Sequence, residues 1–211
     1  MKLIFIIAIS FLLPLQLFTQ SAVEDPVPFS ELKETEQETR SGGFINIYHH
    51  KGELFTGSAI EKKLTSSFLY HFKNGKRHGL STHFTKANKE KKEWEYQHGM
   101  LRVVREWYID GDLKNEIEFN RKSRFEKKSV WHRNGEIKET FKQRKYSPNQ
   151  KVKRYSKKGN ISEKGQETSI ESGKKVETIK VGKWLYFDRK GKRKKIEVYD
   201  LEGKKISSKK I

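Results

Sequence analysis

The chain has 211 residues and no cysteine, which excludes a disulfide scaffold, a zinc–thiolate centre, a cysteine nucleophile and an acylated N-terminal cysteine. Its 46 Lys and Arg residues against 27 Asp and Glu give a formal charge of +19, which favours anionic partners and solubility. Only 33% of the residues are hydrophobic, yet 12% are aromatic, and that aromatic content argues against a disordered basic chain.

The N-terminus has the pattern of a secretory signal peptide. Lys2 precedes the uncharged run 3–18, and the small residues Thr19 and Ser21 suit the −3 and −1 positions of a cleavage site. The alternative is an uncleaved anchor, but the run is shorter than the ~20 residues that span a bilayer core. We therefore expect cleavage to remove residues 1–21 and the protein to be periplasmic or extracellular. Without cysteine it is not a lipoprotein.

Residues 22–40 form an acidic segment that we predict to be a flexible linker. It holds six acidic and two basic residues together with Pro26 and Pro28, and it has too few apolar groups to offset its ordering entropy. The body, residues 41–211, then has 43 basic and 21 acidic residues, a charge of about +22. Nucleic acid is the usual partner of such a charge, but an exported protein seldom meets it. Anionic lipid, acidic glycan or an acidic protein is the expected partner class.

Turn glycines recur through the body at intervals related to twelve residues. They are Gly52, Gly75, Gly99, Gly111, Gly135, Gly159, Gly191 and Gly203. The successive spacings are 23, 24, 12, 24, 24, 32 and 12, so one interval contains an eight-residue insertion, which we place in the polar stretch 165–178. A fixed period of this length indicates a repeat architecture.

The residues beside these glycines predict β-hairpins. Position −4 is aromatic in six instances: Tyr48, Trp107, Trp131, Tyr155, Phe187 and Tyr199. Position +2 is aliphatic in five: Leu54, Leu101, Leu113, Ile137 and Ile161. A three-residue loop with glycine third, in the left-handed conformation, pairs −4 with +2 across the strands. The predicted pairs are Tyr48 with Leu54, Trp107 with Leu113, Trp131 with Ile137, and Tyr155 with Ile161.

Intervals of 24 residues imply a second, weaker turn at their midpoint. Ala87-Asn88, Lys122-Ser123 and Ser147-Pro148-Asn149 lie at these places, and Phe119 keeps the aromatic at −4 from Ser123. We therefore predict an all-β fold: a single-layer antiparallel meander of stacked β-hairpin repeats with a period of about 24 residues. Neighbouring hairpins stack because one unit cannot bury its aromatic face alone.

Two stretches carry a resemblance to a known family. Residues 68–79 read FLYHFKNGKRHG, and residues 182–192 read GKWLYFDRKGK. They resemble the MORN-repeat variant of many bacterial proteins, a family that includes the YwqK-type antitoxins. The resemblance covers most of residues 45–211 and implies a β-hairpin array with binding or scaffolding duties. Ordinary MORN repeats are often linked to phospholipids, whereas some relatives of the variant neutralise a toxin.

Catalytic chemistry has little support in the sequence. The adjacent His49 and His50 point to opposite faces of a strand, and no metal-ligand spacing occurs, so we expect no metal. The carboxylates around one turn are Asp110, Asp112, Glu116 and Glu118, and we interpret them as a solvated hairpin tip and strand face. No nucleophile motif and no phosphate-binding glycine loop is present, so we predict a non-enzymatic protein without a cofactor.

One basic run is the candidate contact for an anionic partner. It consists of Arg189, Lys190, Lys192, Arg193, Lys194 and Lys195. Lysine-rich turns also protect sheets from edge-to-edge aggregation, which is the alternative interpretation of this run.

The leading functional hypothesis is an exported protein-binding or scaffolding module of the cell envelope. The alternatives are an immunity protein of the YwqK type, a binder of anionic lipid or glycan surfaces and, from a different class, a surface hydrolase.

Overall fold

The computed structural model describes residues 25–40, 42–85, 91–172 and 175–211. The signal-peptide prediction and the Ala87-Asn88 turn lie outside these residues. Within them the chain forms eighteen strands and one 3-10 turn at Phe29–Glu31. The strands are β1 Val27–Pro28, β2 Lys33–Glu38, β3 Phe44–His50, β4 Glu53–Leu54, β5 Gly57–Lys62, β6 Ser66–Lys73, β7 Lys76–Arg77, β8 Gly79–Thr85, β9 Lys91–Gln97, β10 Met100–Trp107, β11 Leu113–Phe119, β12 Phe125–Trp131, β13 Ile137–Gln143, β14 Gln150–Tyr155, β15 Ile161–Ser172, β16 Lys175–Phe187, β17 Arg193–Tyr199 and β18 Lys205–Lys210.

The predicted meander is confirmed. Strands β8 to β18 lie side by side in chain order, each antiparallel to the next, and β5 and β6 continue the same open sheet at its N-terminal end. Strand β1 runs parallel to β5 and covers its outer edge, while β7 pairs with β6. Most strands have six to eight residues because turns return every twelve residues.

Six hairpins between β10 and β18 have the predicted three-residue loop, whereas the six residues 144–149 join β13 to β14. At the β10–β11 turn the Tyr108 N–H donates to the Asp112 carbonyl at 2.8 Å, and the Gly111 N–H donates to the Tyr108 carbonyl at 3.0 Å. The next turn repeats this pattern: the Asn120 N–H donates to the Arg124 carbonyl, and the Ser123 N–H donates to the Asn120 carbonyl. The register pairs Trp107 with Leu113, Trp131 with Ile137, Tyr155 with Ile161 and, at the weaker turn, Phe119 with Phe125. The first three of these pairs are the predicted ones, and they are confirmed.

The Tyr48–Leu54 pair is wrong by one residue. His49, not Tyr48, lies opposite Leu54, because the loop between β3 and β4 has only two residues, Lys51 and Gly52. Both have positive φ, at 52° and 89°, which is the conformation of a type I′ turn. A two-residue loop pairs position −3 with +2, and this also explains why Phe72 lies opposite Arg77 and Tyr96 opposite Leu101.

The 24-residue period corresponds to two strands, so turns that lie 24 residues apart share one edge of the sheet. Contacts between successive turns of one edge confirm this spacing: the Tyr108 hydroxyl donates to the Trp131 carbonyl at 2.9 Å, and Asn134 Nδ2 donates to the Lys157 carbonyl at 2.8 Å. On the opposite edge the Gly99 N–H donates to the Arg77 carbonyl at 2.8 Å. Each turn is therefore held both by its own hairpin and by the next turn along the edge.

The eight-residue insertion lengthens one hairpin. Strands β15 and β16 have 12 and 13 residues, while their neighbours have six and seven, so the extra residues project beyond the edge of the sheet. Within this hairpin Trp184 is fully buried and its indole Nε1 donates to the Gln166 carbonyl at 3.0 Å.

The acidic segment is not a separate linker, which corrects the predicted boundary at residue 41. Strand β2 pairs with β3 over six residues, and β4 completes a three-stranded sheet. This small sheet packs on the main sheet through a cluster of apolar side chains: Tyr48, Phe55, Ala59 and Phe72, with Val27, Phe29, Leu32 and Tyr70 at its border. The acidic residues alternate along β2. Its backbone hydrogen bonds to β3 offset the entropy cost of ordering this segment, which the segment could not offset alone.

Candidate anionic-partner interface

The cross-strand register divides the main sheet into two faces, because residues directly opposite each other point the same way. We call the face that carries the small sheet the covered face. Its central row consists of Trp94, Val104, Ile117, Lys128, Phe141, Val152 and Gly165, with Trp184 beside Gly165. The opposite face we call the open face. Turn-proximal aromatic residues such as Trp131 follow a covered-face residue directly in the chain and so point to the open face.

One arginine of the covered face is surrounded by carboxylates. Arg154 contacts Glu139 and Glu163 at 3.1 Å and Glu167 at 2.7 Å, and its guanidinium lies 5.5 Å from the Trp184 ring. Hydrogen bonding and the three carboxylates raise the pKa of Arg154 although burial acts to lower it. This network stabilises the sheet. It also engages the Arg154 guanidinium, so that this charge is not available to a partner.

The open face has a group of five lysines, which we call the lysine patch. Lys127, Lys142 and Lys151 lie directly opposite one another on β12, β13 and β14. Lys153 and Lys164 form a second opposite pair in the adjacent row of β14 and β15. The five ammonium groups thus sit on four neighbouring strands, with about 5 Å between opposite β-carbons.

Most of the lysine patch has no carboxylate partner in the described part of the chain. Lys127 contacts Glu118 at 2.6 Å, whereas Lys142, Lys151 and Lys153 form no ion pair there, and their side chains are exposed. Lys164 is half-buried and lies 5.4 Å from the Phe187 ring. Like charges directly opposite each other destabilise a sheet, so a row of three lysines opposes folding and favours the binding of an anion.

The predicted basic run divides into a free part and a bound part. Arg189, Lys190 and Lys192 are exposed at the β16–β17 turn, whereas Lys195 contacts Glu197 at 3.1 Å and lies 4.2 Å from the Tyr186 ring. Arg193 is exposed opposite Phe187. Lys194 and Arg189 border a shallow groove of about 400 Å³ that Ile161 and Phe187 also line. The run does not form one cationic surface, because its members alternate between turn, strand face and groove.

Three of the four predicted acidic residues, Asp110, Glu116 and Glu118, form ion pairs with basic side chains. Asp110 contacts Arg133 at 2.8 Å, Glu116 contacts Arg105 at 2.7 Å, and the Asp112 carbonyl closes its turn. Among the described residues, no three His, Cys, Asp or Glu side chains converge as a metal site requires. The described part of the chain also contains no helix long and apolar enough to cross a bilayer.

Sequence reasoning missed the lysine patch, although alternate lysines at 151 and 153 were visible. Its recognition depends on the register, and most hairpins here shift by one residue at a bulge next to the turn, as between Val130 and Trp131. Beyond such a bulge, the alternation of side chains counted from the turn glycine assigns each residue of that strand to the wrong face.

We find no family model that matches the chain and no curated protein similar to it.

Proposed function

We propose that the protein is a non-enzymatic binding module that recognises an acidic protein surface through the lysine patch. The observation that carries the proposal is the row Lys127, Lys142 and Lys151, three lysines directly opposite one another with one carboxylate partner between them. Such a row is unfavourable in the isolated protein. Binding of an acidic partner is then favoured twice, because its carboxylates attract the lysines and also reduce the repulsion among them.

The geometry of the patch supports a partner with ordered charges. The β-carbons of Lys151 and Lys153 are two residues apart on β14, or about 6.6 Å, and opposite lysines are separated by about 5 Å. Their side chains rise from a sheet that has a continuous hydrogen-bonded ladder on both sides of β13 and β14. A rigid cationic grid of this kind matches the carboxylates of a folded or extended acidic polypeptide. Under this proposal the protein acts outside the cytoplasm, where the pattern of residues 1–21 would direct it.

The test compares capture of envelope proteins by the wild type and by Lys142→Glu/Lys151→Glu. A matched control, Lys62→Glu, changes one exposed lysine of the open face at the far end of the main sheet. Capture at low and high salt, with identification by mass spectrometry, should return one acidic protein for the wild type and the control but not for the double variant. Equal retention by the double variant contradicts the proposal.

A second candidate is adhesion to an anionic lipid or glycan surface. It is favoured by Arg189, Lys190 and Lys192, which are exposed at one turn without a carboxylate partner among the described residues. Flotation with vesicles containing phosphatidylglycerol separates the two, since salt-sensitive vesicle binding that survives Lys142→Glu/Lys151→Glu supports the surface role. An immunity role remains within the first proposal, with a toxin as the acidic protein, and rests on the resemblance to YwqK-type antitoxins.

A further inference from the structure

A groove lies between the small sheet and one turn edge of the main sheet, on the covered face. Its volume is about 470 Å³. Phe44, Ile45 and Asn46 of β3 form one wall, and Met100, Leu101 and the turn Lys122–Arg124 face them. Arg77 and the rings of Tyr48 and Tyr96 lie at its inner end. The groove thus has mixed polar and apolar walls, and Arg77, Lys122 and Arg124 give it a cationic lining.

The wall of the groove is an unpaired strand edge. Strand β3 pairs with β2 over Phe44–His49, but on its other side it pairs with β4 only at His49 and His50. The Tyr48 N–H points to that second side, because it donates to the Gly75 carbonyl at 2.7 Å. Backbone groups of alternate residues point the same way in an antiparallel strand, so those of Phe44 and Asn46 also point away from β2. Neither residue has a backbone partner there among the described residues.

The inner end of the groove holds Arg77, which has no carboxylate partner among the residues that the structure describes. The Arg77 guanidinium lies 4.8 Å from the Tyr70 ring, 5.5 Å from Tyr96 and 5.6 Å from Tyr48. Its Nη1 donates to the Tyr96 hydroxyl at 3.4 Å, while its buried Nε has no partner in the described part of the chain. A guanidinium removed from water normally pairs with a carboxylate, and no carboxylate lines this groove.

We propose that this groove binds an extended acidic peptide segment of a partner protein, which adds a strand to the free edge of β3. The Phe44 and Asn46 backbone groups pair with the peptide backbone, as in other cases of strand addition. A glutamate of the peptide reaches Arg77 on the face of β3 that carries Tyr48, and the alternate apolar side chains lie on the opposite face, with Ile45. Four residues of β3, a length of about 13 Å, set the number of peptide residues that can pair.

Charge complementarity selects the acidic peptide over an apolar one. Arg77 is joined at the rim by Lys122 and Arg124, both exposed, so three cations and, among the described residues, no carboxylate line the groove. The side-chain amide of Asn46 is engaged with Glu34 of β2, outside the groove lining. A planar guanidinium also recognises a carboxylate through two parallel hydrogen bonds, which gives the site directional preference.

The test is fluorescence anisotropy with a dye-labelled peptide of sequence SVEVEVS. Its matched probes are SVQVQVS, which lacks the charges, and SVEVEVS methylated on alternate backbone nitrogens, which cannot pair as a strand. We expect the purified protein to bind SVEVEVS and to bind each matched probe roughly tenfold more weakly. Equal binding of SVQVQVS, or of the methylated probe, overturns the proposal, as does absence of binding to SVEVEVS.

Variants separate the two parts of the site. Asn46→Pro removes the outward N–H without touching the β2 ladder, and Asn46→Ala is its matched control, because both lose the contact to Glu34. Arg77→Lys keeps the positive charge but removes the planar guanidinium, which can donate two parallel hydrogen bonds to one carboxylate. We expect Arg77→Lys to weaken SVEVEVS binding, and Asn46→Pro to weaken it more than Asn46→Ala does. Unchanged binding by Asn46→Pro overturns the strand-addition geometry. Lys142→Glu/Lys151→Glu should bind the probe normally, which makes this site independent of the lysine patch.

Discussion

Gly165 lies directly beneath the ring of Trp184, so that a β-carbon at position 165 would fall 2.4 Å from the indole. The ring is fully buried, and its Nε1 hydrogen bond to the Gln166 carbonyl fixes it in that place. Two residues from adjacent strands therefore form one unit, in which the absence of a side chain on β15 makes room for the largest side chain of β16.

We expect Gly165→Ala to destabilise the protein by about 2–4 kcal/mol, because the methyl group must displace a tryptophan ring that has no free volume beside it. Urea denaturation followed by tryptophan fluorescence measures the loss. Gly182→Ala is an imperfect control, since its positive φ adds strain, but nothing lies within 4 Å of its β-carbon. A loss at Gly165 smaller than at Gly182 would contradict the packing account.

The turn at Gly135 tests backbone strain without packing. Its φ is +79°, and a β-carbon there meets nothing within 4 Å. Gly135→Ala should therefore cost about 1 kcal/mol, the strain of a left-handed residue less the entropy that alanine removes from the unfolded chain. Chemical denaturation gives the value. Ser123 already adopts φ +53° at the equivalent position of its turn, so a loss well above 2 kcal/mol at Gly135 would not fit this account.

The lysine patch should trade stability for binding. Lys142→Glu places a carboxylate directly between Lys127 and Lys151, and we expect the free energy of unfolding to rise by about 0.5 kcal/mol at low salt. The gain should shrink at high salt because exposed charges are screened. Urea midpoints at two salt concentrations measure both effects. Lys62→Glu serves as the control, and a similar gain there would show that reduced net charge, not the row, is responsible.

Glu197 should couple stability to acid pH. Hydrogen bonding by Tyr186 and Tyr199, with Lys195 and Lys205, lowers the pKa of this buried carboxyl to about 2. Because the folded pKa is the lower one, the stabilisation is fully present above the unfolded value near 4.5 and is lost as pH falls toward 2.

Glu197→Gln should therefore be less stable than the wild type at pH 6, by about 1–2 kcal/mol once screening of the exposed Lys205 is allowed for. The difference should shrink as the pH approaches 2. Urea midpoints between pH 6 and pH 2 measure it, with Glu202→Gln at an exposed turn as the control. A constant difference across that range would exclude Glu197 as the titrating group.

The positions of the hairpins follow from local residue spacing. Turn residues such as Asp110-Gly111 act locally, through φ angles that few other residues accept, and the aromatic at −4 follows from the loop length. For this reason the meander, the 24-residue period, and pairs such as Trp107 with Leu113 could be read from residue spacing alone.

Long-range contacts determine which residues share a face of the sheet and at which residue the folded part of the chain begins. A bulge beside most turns shifts the register by one residue and exchanges faces, so a count from the glycines does not predict the row of Lys127, Lys142 and Lys151. The acidic strand β2 is ordered by its ladder to β3, and Arg77 meets three tyrosines from three other strands. Contacts of this kind join residues far apart in the chain, and they depend on the packing of the small sheet on the main one, which no local propensity specifies.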